Sequence, residues 1–166
     1  MRWERLFSDV EAEVEEIERE ERDALAQELG DEEWAATSWA EVLGGEVELE
    51  IDALGRVRGR LERRTAGLLG LSSGPRDLLV PHHAVRQVVS TQERSGAPSR
   101  LAGRTRWTAV LRRLRDEAEP VEVVDRSGSV TTGVVEVVGQ DFVALDTPSG
   151  RRIVPWNAVA VVRTER

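Results

Sequence analysis

The sequence predicts a mainly β fold with helices: two tandem five-stranded barrels, each preceded by a short helix, plus a long N-terminal helix. Three observations carry this expectation. The first is an internal repeat. Val47 and Glu48 recur as Val121 and Glu122, Gly59 as Gly133, Glu62 as Glu136 and Leu71 as Leu145. Val80 and Pro81 recur as Val154 and Pro155, Ala84 and Val85 as Ala158 and Val159, and Val88 as Val162. These ten identities fall within 42 positions offset by 74 residues without a gap, and a fixed period marks a structural unit. The second is strict alternation of apolar and charged residues inside each copy, the signature of a half-buried strand. The third is a seven-residue apolar spacing near the N-terminus, the seam of a coiled-coil helix.

Taken in order, residues 1–30 read as an acidic amphipathic helix. Trp3, Phe7, Val10, Val14 and Ile17 form its seam, Glu residues fill its outer face, and Gly30 is its expected C-terminal stop. Such a helix needs a cover for its apolar stripe, supplied by the barrels or by a second copy of itself. Residues 31–43 read as a shorter helix with Asp31 as N-cap and Trp34, Trp39, Val42 and Leu43 as apolar positions, ended by Gly44 and Gly45. The first barrel copy then completes the segment 31–90. Val47, Leu49 and Ile51 alternate with Glu48, Glu50 and Asp52; Val57, Gly59 and Leu61 alternate with Arg56, Arg58 and Arg60. Strands are expected around Leu68–Leu71, Asp77–Val80 and Val85–Val89. Residues 91–99 are rich in Ser, Gly and Pro and read as a linker. Residues 100–166 repeat the plan, with a helix to about residue 118 carrying Leu101, Val110, Leu111 and Leu114, then strands from Val121 to Val162. The second set of strands is more apolar than the first and reads as the better-buried copy.

Composition bounds the function. With no Cys, thiol and disulfide chemistry are excluded, and a reducing, cytoplasmic setting is expected. All 23 basic residues are Arg, which fits a GC-rich coding bias. The net charge of −8 hides an asymmetry. Residues 1–50 hold 4 Arg against 18 Asp and Glu, and residues 51–115 hold 14 Arg against 4 acids.

In the second copy, Gly128 and Gly133 with Val135, Phe142 and Leu145 resemble the first sequence motif of Sm-like proteins. The closing Val-Pro-x-x-Ala-Val segment is similar to the end of Sm-like, SH3-like and PRC-type barrels. The resemblance implies an RNA-binding fold, but the family's RNA-recognising Asn is replaced by Val143 and Leu69. Its Arg-Gly pair is replaced by Pro155-Trp156 and Pro81-His82. The RNA site therefore does not carry over. The layout from Met1-Arg2-Trp3 onward also resembles an uncharacterised actinobacterial family with two such barrels and an acidic helix.

No cofactor or metal is expected. His82 and His83 are adjacent, with no third ligand at useful spacing, and no Ser stands in a nucleophile elbow. Glu62 and Glu136 read as solvated strand positions. Catalysis thus has no positive support, and a non-catalytic interaction or scaffold module is expected, engaging a protein partner or itself through the N-terminal helix. The sharpest alternative is nucleic acid. Arg56, Arg58 and Arg60 fall on one strand face, with Arg63 and Arg64 beside them and Arg104, Arg112 and Arg113 on the following helix. Against it stand the acidic first helix, which can neutralise that face, and a shortage of aromatics for base stacking.

Overall fold

The computed structural model of the chain describes residues 19–25, 27, 28, 30–32, 34–36, 38–65, 67–90 and 106–165. They fall into two compact units, one ending at Ser38 and one spanning Trp39–Arg166. Among the described residues of the first unit, 19–25, 27, 28, 30–32, 34 and 35 have helical backbone. No long N-terminal helix is present among the described residues, and the seam of Trp3, Phe7, Val10, Val14 and Ile17 lies outside them. Gly30 and Asp31 are both helical, so neither stops nor caps a helix here. Glycine costs a helix interior about 1 kcal/mol relative to Ala, which weakens a helix without ending it. Trp34, expected as an apolar anchor, is 68% exposed.

In the second unit, a 3₁₀ turn, Trp39–Val42, stands where the last part of the expected second helix was placed. Five strands follow: β1 (Glu46–Ile51), β2 (Gly55–Arg64), β3 (Leu68–Ser73), β4 (Arg76–Pro81) and β5 (Val85–Ser90). Helix α1 (Trp107–Glu117) ends at Ala118, whose left-handed backbone (φ 54°) turns the chain before Pro120 opens the next strand. Then come β6 (Pro120–Asp125), β7 (Val130–Val138), β8 (Phe142–Thr147), β9 (Gly150–Pro155) and β10 (Val159–Glu165).

These strands do not close into two barrels. They form one open antiparallel sheet of ten strands in the order β5-β1-β2-β3-β4-β10-β6-β7-β8-β9. Closing the first set would require β4 to meet β5. Instead β4 pairs with β10, aligning Leu79 with Val162, Leu78 with Arg163, Asp77 with Thr164 and Arg76 with Glu165. A strand edge can satisfy only one neighbour, so this pairing leaves β5 and β9 at the two ends of the sheet.

The 74-residue offset extends to the irregularities of the ladder. Glu62 is skipped in the pairing of β2 with β3, and Glu136 in the pairing of β7 with β8. Both recurrent acids are therefore bulge residues, which bend a strand and aim a side chain outward. Arg86 and Ala160 are skipped in the same way on β5 and β10. The 3₁₀ turns His82–Ala84 and Trp156–Ala158 also correspond. Ahead of them, Asp52 N–H donates to Ala84 O (2.9 Å) and Arg126 N–H to Ala158 O (2.8 Å). Gly59 and Gly133 sit where the neighbouring strand comes closest. A Cβ at Gly59 would lie 2.8 Å from the Ser72 carbonyl oxygen, and one at Gly133 would overlap that of Asp146.

Two apolar clusters fill the curled halves. One joins Val47, Leu49, Ile51, Leu69, Leu71 and Val80 to Val124, Ala160 and Val161. The other joins Val121, Val123, Val135, Val143, Leu145, Val159 and Val162 to Leu111 of α1, with Leu79 of β4 packed against it. Within β10, Val159 and Val162 belong to one core and Ala160 and Val161 to the other, and all four are fully buried. That double burial accounts for the apolar run of β10, whereas β9 of the same set is mostly exposed.

Candidate interaction surface

The arginine ladder is built by a hairpin. The chain turns between β1 and β2 with Ala53 (φ 64°) and Gly55, the first residue of β2 (φ 69°), in the left-handed region, and this fixes the register of β2. Arg60 then faces Glu46, Arg58 faces Glu48 and Arg56 faces Glu50. Opposite charges directly across an antiparallel pair attract. Arg58 Nε donates to Glu48 Oε2 at 2.5 Å, and Arg56 Nη1 lies 3.6 Å from Glu48 Oε1. The hydrogen bond from Arg58, helped by both positive charges, holds the Glu48 carboxyl below its ordinary range despite the opposing effect of burial. The Arg56, Arg58 and Arg60 side chains remain 71–82% exposed, so the face is accessible but faced by acids. The sequence contains this signal: Glu-x-Glu-x-Glu, a turn, then Arg-x-Arg-x-Arg can only fold back as a charge-matched hairpin. The counter-ions come from β1, ahead of any contribution from the acidic N-terminal segment.

The remaining basic candidates separate. Arg64 Nη1 donates to the carbonyls of Glu41 and Leu43, both at 2.7 Å, and so ties the Trp39–Val42 turn to β2. Arg63 lies opposite Gly70 of β3. On α1, Arg113 pairs with Glu117 one turn on, at 2.8 Å, and Arg112 is exposed. Arg104 lies outside the described residues. The structure therefore brings Arg56, Arg58 and Arg60 together and commits Arg64 to the scaffold.

A second charged group was not anticipated from sequence. Asp52, buried at the end of β1, accepts from Arg86 Nε (2.5 Å) through one oxygen and from Arg126 Nε (2.6 Å) through the other. The hydrogen bonds from Arg86 and Arg126 hold its carboxyl below the usual range, against burial. Arg126 belongs to the turn after β6, so Asp52 clasps the two halves of the sheet. A signal was available, since Asp52 and Arg126 occupy corresponding positions with opposite charge.

The histidines serve different neighbours. His82 packs on Trp39 (ring centroids 4.8 Å apart), and its Nε2 is buried without a partner. Burial pushes this imidazole below its ordinary range, opposed by a hydrogen bond to the Leu68 backbone. His83 Nε2 is 2.9 Å from the Val159 carbonyl oxygen, and its ring meets Trp156 edge-on. Trp156, at the position corresponding to His82, stacks on Trp107 at 4.0 Å, securing α1 to the second core. Among the described residues no group of three or more His, Asp or Glu is placed to hold a metal ion.

The two outer edges differ from their covered counterparts. Ile153 of β9 is 63% exposed, whereas the corresponding Leu79 of β4 packs on the second core. Arg151 beside it is held by the Glu136 carboxylate of the bulge, and Arg152 is exposed. At the other end of the sheet, Val89 of β5 is 48% exposed. No protein-family model matches this chain, and no curated protein matches it. Among the described residues, no helix is long and apolar enough to cross a membrane.

Proposed function

We propose that this chain is a non-catalytic, cytoplasmic interaction module that takes an extended segment of a protein partner along its sheet edge at β9. The observation that carries this reading is the exposure of Ile153 and Arg152 on a strand with one open edge, where the corresponding residues of β4 pair with β10. An unpaired edge offers main-chain donors and acceptors to an added strand, and exposed apolar and charged side chains supply selectivity. The cross-strand acids Glu46, Glu48 and Glu50 argue against a phosphate track along Arg56, Arg58 and Arg60. Glu48 already neutralises the centre of that ladder.

Hydrogen exchange on the chain, alone and with proteins captured from nuclease-treated extract, tests this. Amides of β9 become protected, and Ile153→Asp abolishes both capture and protection. Salt-sensitive binding of single-stranded RNA, single-stranded DNA or duplex that Arg56→Glu/Arg58→Glu abolishes would transfer the assignment to nucleic acid.

A further inference from the structure

The partner that fits the β9 edge is already present once inside the molecule. The joint between β4 and β10 is a contact between one half of the sheet and the other, made by non-corresponding strands: the fourth of the first set and the fifth of the second. Such a contact uses two different surfaces and so leaves one of each unused. The fourth strand of the second set, β9, and the fifth strand of the first set, β5, are the two ends of the sheet.

We propose that copies of this chain assemble head to tail, β5 of one copy adding to β9 of the next in the register that β10 adopts on β4. This deepens the interaction reading above and rests on it. Shifting each residue of the internal joint by 74 positions aligns Val88 with Ile153, and Val89 with Arg152. The apolar pair Val162 and Leu79 is thereby reproduced by Val88 and Ile153. Val162 is fully buried, whereas Val88 is only partly covered and Ile153 is mostly bare, so the added strand covers apolar surface that the single chain leaves exposed.

A charge match across the joint is also available, through a different arginine. At the internal joint Glu122, one strand inward on β6, reaches Arg163 of β10 (3.6 Å) and Arg76 of β4 (3.7 Å) and so spans the seam. Its counterpart is Glu48, aligned with Val89 on β5. In the proposed register Arg152 of the incoming copy lies across Val89 from Glu48. The acid one strand in from the joint is kept, while the guanidiniums Arg163 and Arg76 correspond to Val89 and Gly150, so that Arg152, at the position of Leu78, brings the positive charge instead. Repetition of one joint produces a ring if the rotation closes and an open run of copies if it does not.

The absence of cysteine permits a direct test. Val89→Cys and Arg152→Cys are made as separate variants, each at an exposed position that leaves the fold intact, as circular dichroism of each verifies. Residues directly opposite across antiparallel strands lie within disulfide reach. Oxidising the equimolar mixture yields a heterodimeric disulfide, while either variant alone stays uncrosslinked. Light scattering gives a mass of about twice the monomer or more for the unaltered chain, and Ile153→Asp returns it to the monomer.

Three results would overturn the proposal. One is a strictly monomeric chain with no mixed disulfide. Another is efficient crosslinking of Arg152→Cys to itself, which means two β9 edges meet. The third is an oligomer that survives Ile153→Asp and is lost in Val14→Asp, which assigns assembly to the N-terminal seam. If no mixed disulfide forms while Ile153→Asp still abolishes partner capture, the interaction reading stands and self-assembly alone falls.

Discussion

Replacing Gly133 by Ala tests whether the bend in β7 depends on the missing side chain. The new Cβ would overlap the Asp146 carbonyl oxygen and lie 3.1 Å from both the Asp146 carbonyl carbon and Thr147 Cγ2. Two of those three atoms are backbone and cannot rotate away, so β7 and β8 must part locally where Val134 pairs with Asp146. Overpacking of this kind costs about 1–3 kcal/mol, and weakening one ladder hydrogen bond adds about 1 kcal/mol. Restricting the unfolded chain returns only about 0.4–1 kcal/mol. The net loss is about 2 kcal/mol, a fall in Tm of roughly 4–8 °C for a domain of this size. Gly59→Ala meets the softer geometry of Ser72 O at 2.8 Å and Leu71 Cβ at 3.3 Å, with an expected loss of about 1–2 kcal/mol. Urea unfolding of both variants measures the pair. An unchanged midpoint for Gly133→Ala, or a larger loss for Gly59→Ala, would refute the close-approach argument.

Three further outcomes follow from the geometry. Asp52→Ala removes the acceptor shared by Arg86 and Arg126; because both guanidiniums are more than half exposed, they rehydrate, and the loss by denaturant titration is about 2 kcal/mol. His82 titrates at lower pH folded than unfolded, so the stability it confers is present above about pH 6.5 and is lost as pH falls below that value. Urea midpoints at pH 7 and pH 5 should therefore differ less in His82→Phe than in the unaltered chain. Ala118→Gly relieves a left-handed alanine at the end of α1 and should raise stability by about 0.5–1 kcal/mol in thermal unfolding.

Strand existence was legible in the sequence because alternation such as Val47, Leu49, Ile51 against Glu48, Glu50, Asp52 reports local burial. The two inner glycines were legible because a strand passing so close to its neighbour tolerates no Cβ. Closure was not legible. Whether β4 pairs with β5 or with β10 is decided between edges of similar apolar character, far apart in sequence, and side-chain period says nothing about that choice. The run Val159–Val162 carried the missing clue, since four consecutive fully buried residues need a core on each side of the strand. Trp107 packs on the second core through Trp156, whereas Trp34 and Trp39, both exposed, show that an apolar spacing in a short helix does not secure burial. For the candidate surface, the basic residues were found and their hairpin counter-ions were not.

The double role of β10 has a consequence for how the protein comes into being. Both hydrophobic centres draw on a segment that leaves the ribosome only after β1 to β9, and its partner β4 must wait through some 80 intervening residues. Until that segment arrives, neither half can mature, and the nascent polypeptide presents an uncapped apolar flank of the kind that chaperones hold. Acquisition of structure should therefore be late, cooperative across both halves, and acutely sensitive to lesions between Val159 and Val162.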